Sequence, residues 1–319
     1  MIGIDHPIIQ AGMGTFTSAE LVAAVSNAGG LGSIGAGATP LQRLQEQLNR
    51  VRELTDRPYA VNFTLSPKFP DPEAVALTLA AGPRLVSLAL GDPVDYVKRV
   101  HDAGILLMHQ VTTVQQARQA AERGADIIIA QGGEAGGFGG IVTGMVLIPQ
   151  VVDAVRPVPV VAAGGIADGR GLAAALVLGA QGVNVGTRFI ASLEAPVSPE
   201  WKQAILAAES QDTFKAELWN DIFPLNRAGY PTVPRVLASP FITEWQDRRG
   251  QIRENAEHLR EEIGSAAAQG RFGDLFPFTG QAAGFIHEIL PAAEIVREMV
   301  SGAETALRGV LSQVHVHPN

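Results

Sequence analysis

The sequence predicts a (β/α)8 barrel, and three observations carry that prediction. Eight short apolar or β-branched runs recur through the first 190 residues, with amphipathic stretches of helical spacing in most of the gaps. Five helix patterns end in glycine just before the next strand, at Gly29, Gly82, Gly104, Gly124 and Gly179, where a left-handed cap favours that residue. The open doubly wound alternative lacks its fingerprint: Gly12-Met13-Gly14 has no third glycine at the required spacing, and no acidic residue ends the second strand. Alternating strands and helices imply parallel strands with right-handed crossovers, and eight such units close into a barrel.

In chain order the strands are expected at 6–13, 31–37, 59–65, 85–91, 105–111, 126–132, 158–165 and 182–190. Helices are expected at 18–27, 41–55, 72–80, 93–102, 114–123, 146–155 and 169–178, with Ser18 and Asp168 as N-caps. The strand runs are apolar nearly throughout, as expected when helices cover the sheet. Residues 196–279 break this rhythm with Trp201, Trp219 and Trp245, several prolines and a charged helix pattern over 244–263. They read as a mainly helical insertion or lid after the eighth strand. An amphipathic helix over 281–301 would then close the barrel, which takes in residues 1–195 and 280–310. His315 and His317 fall in a tail.

Composition removes whole function classes. The chain has 319 residues and no cysteine, which excludes a disulfide framework, thiolate metal sites and a thiol nucleophile. A net charge of −8 argues against a nucleic-acid binder. No apolar run is long enough for a membrane span, and no basic stretch precedes an apolar signal region, so the cytoplasm is the expected compartment. The apolar content of the insertion fits a homodimer. The seven histidines form no His-x-x-x-His pair or compact cluster with carboxylates, so no metal site is expected.

In this fold the chemistry sits at the C-terminal ends of the strands. The sequence places Ala11-Gly12-Met13 after the first strand, Asn62 and Thr64 at the third, His109-Gln110 at the fifth and Gln131 at the sixth. The neutral amides and the hydroxyl suit the edge of a heterocycle with mixed donors and acceptors. Ala163-Gly164-Gly165 and Gly186-Thr187 end the seventh and eighth strands, the common phosphate position of the fold. A helix starting near Asp168 or Gly169 would add its positive end. Six of the nine residues in 132–140 are glycine, which suits close backbone approach to a flat ligand, or a mobile lid. His109 is the one histidine at the catalytic face, although strand alternation could turn it into the barrel wall.

These residues, in order, resemble the nitronate monooxygenase family. The resemblance rests on Gln10–Met13, Ser26–Gly32, Pro58–Asn62, Gln131–Gly137, Ala162–Gly171 and Gly186–Phe189. It is strong over residues 5–195 and looser beyond them. It implies an FMN-containing barrel of an oxidoreductase acting on a small molecule, with O2 or NAD(P)H as co-substrate. By position, Ala11, Gly12 and Met13 would lie along the flavin ring. Asn62 or Thr64 and Gln110 would meet its polar edge or ribityl chain; some relatives carry Lys at the Gln110 position. Ala163, Gly164, Gly165, Gly186 and Thr187 would hold the phosphate, and Gly136 and Gly137 would belong to the flavin-facing loop.

One position departs from the family. Relatives usually carry a histidine base where this chain has Phe138. Phenylalanine cannot transfer a proton, so neutral nitroalkanes should be poor substrates, whereas an ionised nitronate needs no such base. Phe138 could stack on a substrate or simply pack. Glu134 and His109 are the alternative bases, and a hydrogen bond from Glu134 to the loop backbone is the competing role. The leading reading is therefore an FMN-dependent oxidation of a nitronate or similar small anion by O2. The alternatives are an NAD(P)H-dependent enoyl-thioester or quinone reductase, a specialised flavin oxidase or desaturase of secondary metabolism, and a flavin-binding protein that has lost catalysis.

Overall fold

Strand and helix alternate from Ile8 onward in the computed structural model, which describes residues 1–37, 39–65, 70–224 and 232–313. The elements run β1 (Ile8–Gln10), α1 (Ala19–Asn27), β2 (Gly32–Gly35), α2 (Leu41–Leu54), β3 (Tyr59–Thr64), α3 (Pro72–Ala81), β4 (Leu85–Ala89) and α4 (Val94–Asp102). They continue with β5 (Leu106–Val111), α5 (Val114–Glu122), β6 (Ile127–Gln131), β7 (Gly137–Gly139), α6 (Gly144–Val155), β8 (Val160–Ala163), α7 (Gly169–Val177), β9 (Gly182–Val185) and α8 (Thr187–Ile190). After these come α9 (Pro199–Ala207), β10 (Phe214–Lys215), α10 (Leu218–Ile222), β11 (Val233–Val236), α11 (Pro240–Trp245), α12 (Arg249–Glu254), α13 (Ala256–Ala268), α14 (Phe272–Leu275) and α15 (Ala292–Gln313).

Eight parallel strands form one sheet in the order β1-β9-β8-β6-β5-β4-β3-β2. A parallel bridge between Ile9 and Leu31 joins its two edges and closes the barrel. Each pleat sends alternate side chains inward and outward. Val61, Phe63, Leu88, Leu107 and Ile128 point outward into the buried layer shared with the helices. The N-caps form as the sequence predicts: Ser18 accepts from the Leu21 N–H, and Asp168 from those of Arg170 and Gly171. All five helix-ending glycines have positive φ. No helix among the described residues is long and apolar enough to cross a membrane.

Four boundaries differ from the sequence expectation. The first strand is only Ile8–Gln10, because a 3-10 turn at Gly14–Phe16 takes up the residues that follow. The last barrel strand stops at Val185, and Thr187–Ile190 forms a helical turn instead. The pattern over 281–301 splits into a 3-10 turn at Gln281–Phe285 and α15, which starts after Pro291, with Glu194 Oε2 accepting from the Ala292 N–H at 2.9 Å. The pattern over 244–263 is broken among α11, α12 and α13. The 196–279 segment also carries β10 and β11, which join β7 in a small antiparallel sheet of order β10-β11-β7. His315 and His317 lie outside the described residues.

Candidate active site

The barrel interior changes character along its axis. Its lower part is an apolar plug that includes Ile9, Leu31, Leu85, Met108, Ile127 and Val161. Toward the C-terminal ends the inward positions become polar: Ser33, Asn62, Thr64, Ser87, Gln110, Gln131 and Asn184. Strand pairing sets Thr64 level with Ala89 and Gln110, and Gln131 level with Ala163 and Asn184. Ser33 Oγ and Gln131 Oε1 are buried and have no hydrogen-bond partner among the described residues. A buried acceptor or hydroxyl in that condition is costly unless something polar meets it.

Close backbone packing builds the rim. A Cβ on Gly12 would sit 2.2 Å from Asn62 Cβ, and Asn62 Nδ2 donates to the Gly12 carbonyl at 3.2 Å, so the loop after β1 lies directly on β3. A Cβ on Gly186 would meet Met13 Sδ at 3.6 Å and Ala11 Cβ at 3.9 Å, so the same loop also faces the end of β9. Gln10, fully buried, accepts from the Ser33 N–H at 2.9 Å and ties β1 to β2.

The two glycine turns after β8 and β9 face the same rim. Gly164 and Gly165 have φ of +95° and +73°, which glycine adopts without strain. Among the described residues, the N–H groups of Gly164, Gly165 and Gly186 have no backbone acceptor. Thr187 Oγ1 accepts from the Gly280 N–H at 3.0 Å and keeps its own hydroxyl proton to donate. The start of α7 is already occupied in part. The Asp168 carboxylate takes the Arg170 and Gly171 N–H groups at 2.9 and 3.2 Å and is itself paired with the Arg170 guanidinium, whose Nε donates at 2.8 Å.

Two candidate bases are turned to other tasks. His109 is fully buried, with its strand neighbours Leu107 and Val111 in the layer between barrel and helices, so it faces away from the mouth. Burial pushes its imidazole down to about 4, against the opposing effects of Asp92 and of hydrogen bonds with the backbone of Gly91 and Leu88. Glu134 accepts from the Gly144 N–H at 2.9 and 3.0 Å and so caps α6. Phe138, in β7, pairs with Pro234 and meets Trp219 and Phe278 edge-on at 5.3 and 5.5 Å between ring centroids. Part of the glycine-rich loop, Gly137–Gly139, is thus a packed strand. Gly136 and Gly280 are pressed together, a Cβ on either falling 2.6 or 2.7 Å from the other's nitrogen, and Gly137 (φ +66°) lies against the Phe278 ring. Their glycines answer to protein neighbours.

The profile of the nitronate monooxygenase family matches residues 1–76 and 69–302. The chain belongs to the nitronate monooxygenase family. A probable nitronate monooxygenase of Staphylococcus saprophyticus is 39% identical over 67% of this chain and 73% of its own length. A (3aS,4S,5R,7aS)-5-hydroxy-7a-methyl-1-oxo-octahydro-1H-indene-4-carboxyl-CoA dehydrogenase of Rhodococcus jostii is also 39% identical over 67% of this chain, and the match spans 60% of that relative. Among solved structures, FabK from Thermotoga maritima aligns with a TM-score of 0.88 at 34% identity, over 98% of this chain and 97% of that one. A nitroalkane oxidase from Streptomyces ansochromogenes aligns with a TM-score of 0.80 at 27% identity, over 97% and 98%.

Within this family member, two cations near the mouth escaped the sequence reading. Arg235 of β11 donates to the carbonyls of Gly133 at 3.1 Å and Thr213 at 2.8 Å and holds the β6–β7 loop. Lys215 of β10 donates to the carbonyls of Gly139 and Val233 at 3.3 and 3.2 Å. Burial, aided by the nearby Arg235 charge and opposed by Glu134, lowers its ammonium to about 8. Neither lies in a motif. A lone Lys between Phe214 and Ala216 is the only hint, since such a neighbourhood is atypical of an exposed lysine. Ser33 and Ser87 were also missed, although strand alternation alone would have turned them inward.

Proposed function

We propose that this chain is an FMN-dependent oxidoreductase that takes its organic substrate already ionised, as a nitronate or similar small anion, and passes the electrons to O2. The observation that carries this reading is Phe138, held between Trp219 and Phe278 where relatives place their histidine. The other candidates are held elsewhere: His109 faces the helices, and the Glu134 carboxylate meets the Gly144 N–H at the start of α6.

The residues present fit a flavin. Gln131 Oε1 and Ser33 Oγ are buried and have no partner among the described residues, at the level where the interior turns from apolar to polar. Asn62, Thr64 and Gln110 would meet the polar edge of the ring, and Ala11 to Met13 would line it. Gly164, Gly165, Gly186 and Thr187 would hold the phosphate through N–H groups and a hydroxyl. FMN supplies reversible two-electron transfer. The protein orients the substrate and excludes water, for which the ring cluster of Phe138, Trp219 and Phe278 is suited.

The likeness to FabK over nearly the full chain supports a second reading, an NAD(P)H-dependent reductase of an enoyl thioester. Anaerobic mixing of the FMN-loaded protein with propionate-3-nitronate, NADH and NADPH in parallel separates the two. Bleaching of the flavin by the nitronate alone is the expected result. Bleaching by a reduced pyridine nucleotide alone makes the protein a reductase and overturns the first reading.

A further inference from the structure

We infer that Lys215 is the anion-binding residue of this site, its ammonium holding the charged oxygens of a nitronate beside the end of β6. The inference rests on the proposed function and names the group that recognises the substrate's charge.

Three observations place Lys215 there. Its Nζ lies 3.4 Å from the point where a Cβ on Gly139 would sit, and Gln131 Oε1 lies 3.1 Å from the same point. The bare Gly139 therefore lets the Lys215 ammonium and the Gln131 amide oxygen both come close to the end of β6, one residue along from Phe138. Second, an ammonium has three N–H groups, and the two contacts to Gly139 and Val233 leave one to give. Third, Lys215 has no carboxylate partner among the described residues. Glu134 is turned to the Gly144 N–H, and Arg235, the other charge packed against it, is a second cation tied to the Gly133 and Thr213 carbonyls. A half-buried cation with no counter-ion carries an unmet desolvation cost, which an anionic ligand offsets. The lowered pKa follows from the same surroundings.

A purely mechanical role, stapling β7 to β11 through two carbonyls, makes a different prediction, and nitrate separates the two. Nitrate is a planar oxyanion that undergoes no reaction here, and its binding to the full-length protein can be followed by calorimetry whether or not flavin is bound. Wild-type affinity should hold up to pH about 8 and then fall by about tenfold per pH unit as Lys215 loses its proton. Lys215→Met should weaken nitrate by at least about tenfold at neutral pH and remove the pH break. Lys215→Arg should retain binding and carry it undiminished beyond pH about 10, since a guanidinium stays charged. Nitrate binding by Lys215→Met within about twofold of wild type, or a break still near pH 8 in Lys215→Arg, overturns the assignment. The arginine variant decides the matter should the methionine variant fail to fold. Flavin content, read from the visible spectrum, separates this claim from the one beneath it. A flavin-loaded protein whose nitrate binding ignores Lys215 refutes only the lysine's role. Lysine-dependent binding by a protein that takes up no flavin refutes only the flavoenzyme reading.

Discussion

The barrel and the 196–279 segment bury their apolar surface in different ways. The barrel uses repetition: aliphatic side chains alternate in and out of eight strands, and each helix covers the seam beside it. The segment uses a few large rings on short elements, with Trp219 meeting Phe223 at 4.5 Å, Phe276 at 4.9 Å and Phe138 at 5.3 Å. The division of chemistry follows. The barrel presents neutral hydrogen-bonding groups and bare backbone at its mouth. The segment brings two cations, Lys215 and Arg235, onto carbonyls of residues 133–139 and of its own residues. A repeated scaffold is suited to holding a bound group common to relatives. An irregular cover can exchange one substrate-facing residue for another without disturbing the strands beneath.

One methyl group added to a glycine in each region should have opposite effects. A Cβ on Gly35 would lie 2.2 Å from the Gly14 nitrogen, deep in the barrel rim, whereas one on Gly264 in α13 meets nothing within 4 Å. Gly35→Ala should cost about 3 kcal/mol in urea unfolding, from forced displacement of the loop after β1. Similar small effects at both sites would contradict the contrast.

Acid should separate the regions next. The buried His109 imidazole is held near 4, so the folded barrel binds fewer protons than the unfolded chain between there and the ordinary histidine value. Its contribution is intact above pH about 6.5 and lost as pH falls toward 4, up to roughly 3 kcal/mol. In the segment, Arg249 foremost, with Arg253, holds the Asp221 carboxyl below the usual carboxylate range, despite the opposing effect of burial. That contribution is intact above pH about 4 and fades only as pH drops further. His109→Gln should flatten the stability profile over the higher window and Asp221→Asn over the lower one. A profile in which His109→Gln leaves the upper window unchanged would show that burial of this ring does not govern it.

Two smaller effects sharpen the picture. Glu134→Gln should destabilise α6 by about 1 kcal/mol, through loss of a charged acceptor at its first turn, and leave the pH–rate profile unmoved. A lost limb in that profile would restore Glu134 as a base. Gly264→Ala should stabilise by up to about 1 kcal/mol, as expected in an exposed helix interior; a clear loss of stability would show that α13 is packed more tightly than its open flank indicates.

Legibility in the sequence followed the same divide. Eight β/α units declare themselves by period, and helix-ending glycines by the left-handed backbone they adopt. The glycine turns at Gly164-Gly165 and Gly186-Thr187, where we propose the phosphate, could be placed because the fold fixes where those loops lie. The glycines of 132–140 are ambiguous in the sequence because a bare backbone serves a ligand and a tightly packed neighbour equally well. Only the contact between Gly136 and Gly280, far apart in sequence, distinguishes them. His109 and Gln110 show how one residue of strand phase decides whether a side chain serves the core or the mouth. Lys215 left no periodic signal at all. Its place is set by the pairing of a two-residue strand with β11, and of β11 with the strand that carries Phe138.

If the polar ring above the apolar plug, with two glycine turns at its edge, takes a flavin that bears a phosphate, the phosphate should supply much of the affinity. Calorimetric titration of the flavin-free protein with FMN and, separately, with riboflavin tests it most directly. The two ligands share the ring and ribityl chain and differ only in the phosphate. FMN should bind at least about a hundredfold more tightly, a difference of roughly 3 kcal/mol from the charge-assisted contacts at Gly164, Gly165, Gly186 and Thr187. Equal affinities would show that the two turns hold no phosphate, and no binding of either would show that the barrel mouth takes no flavin.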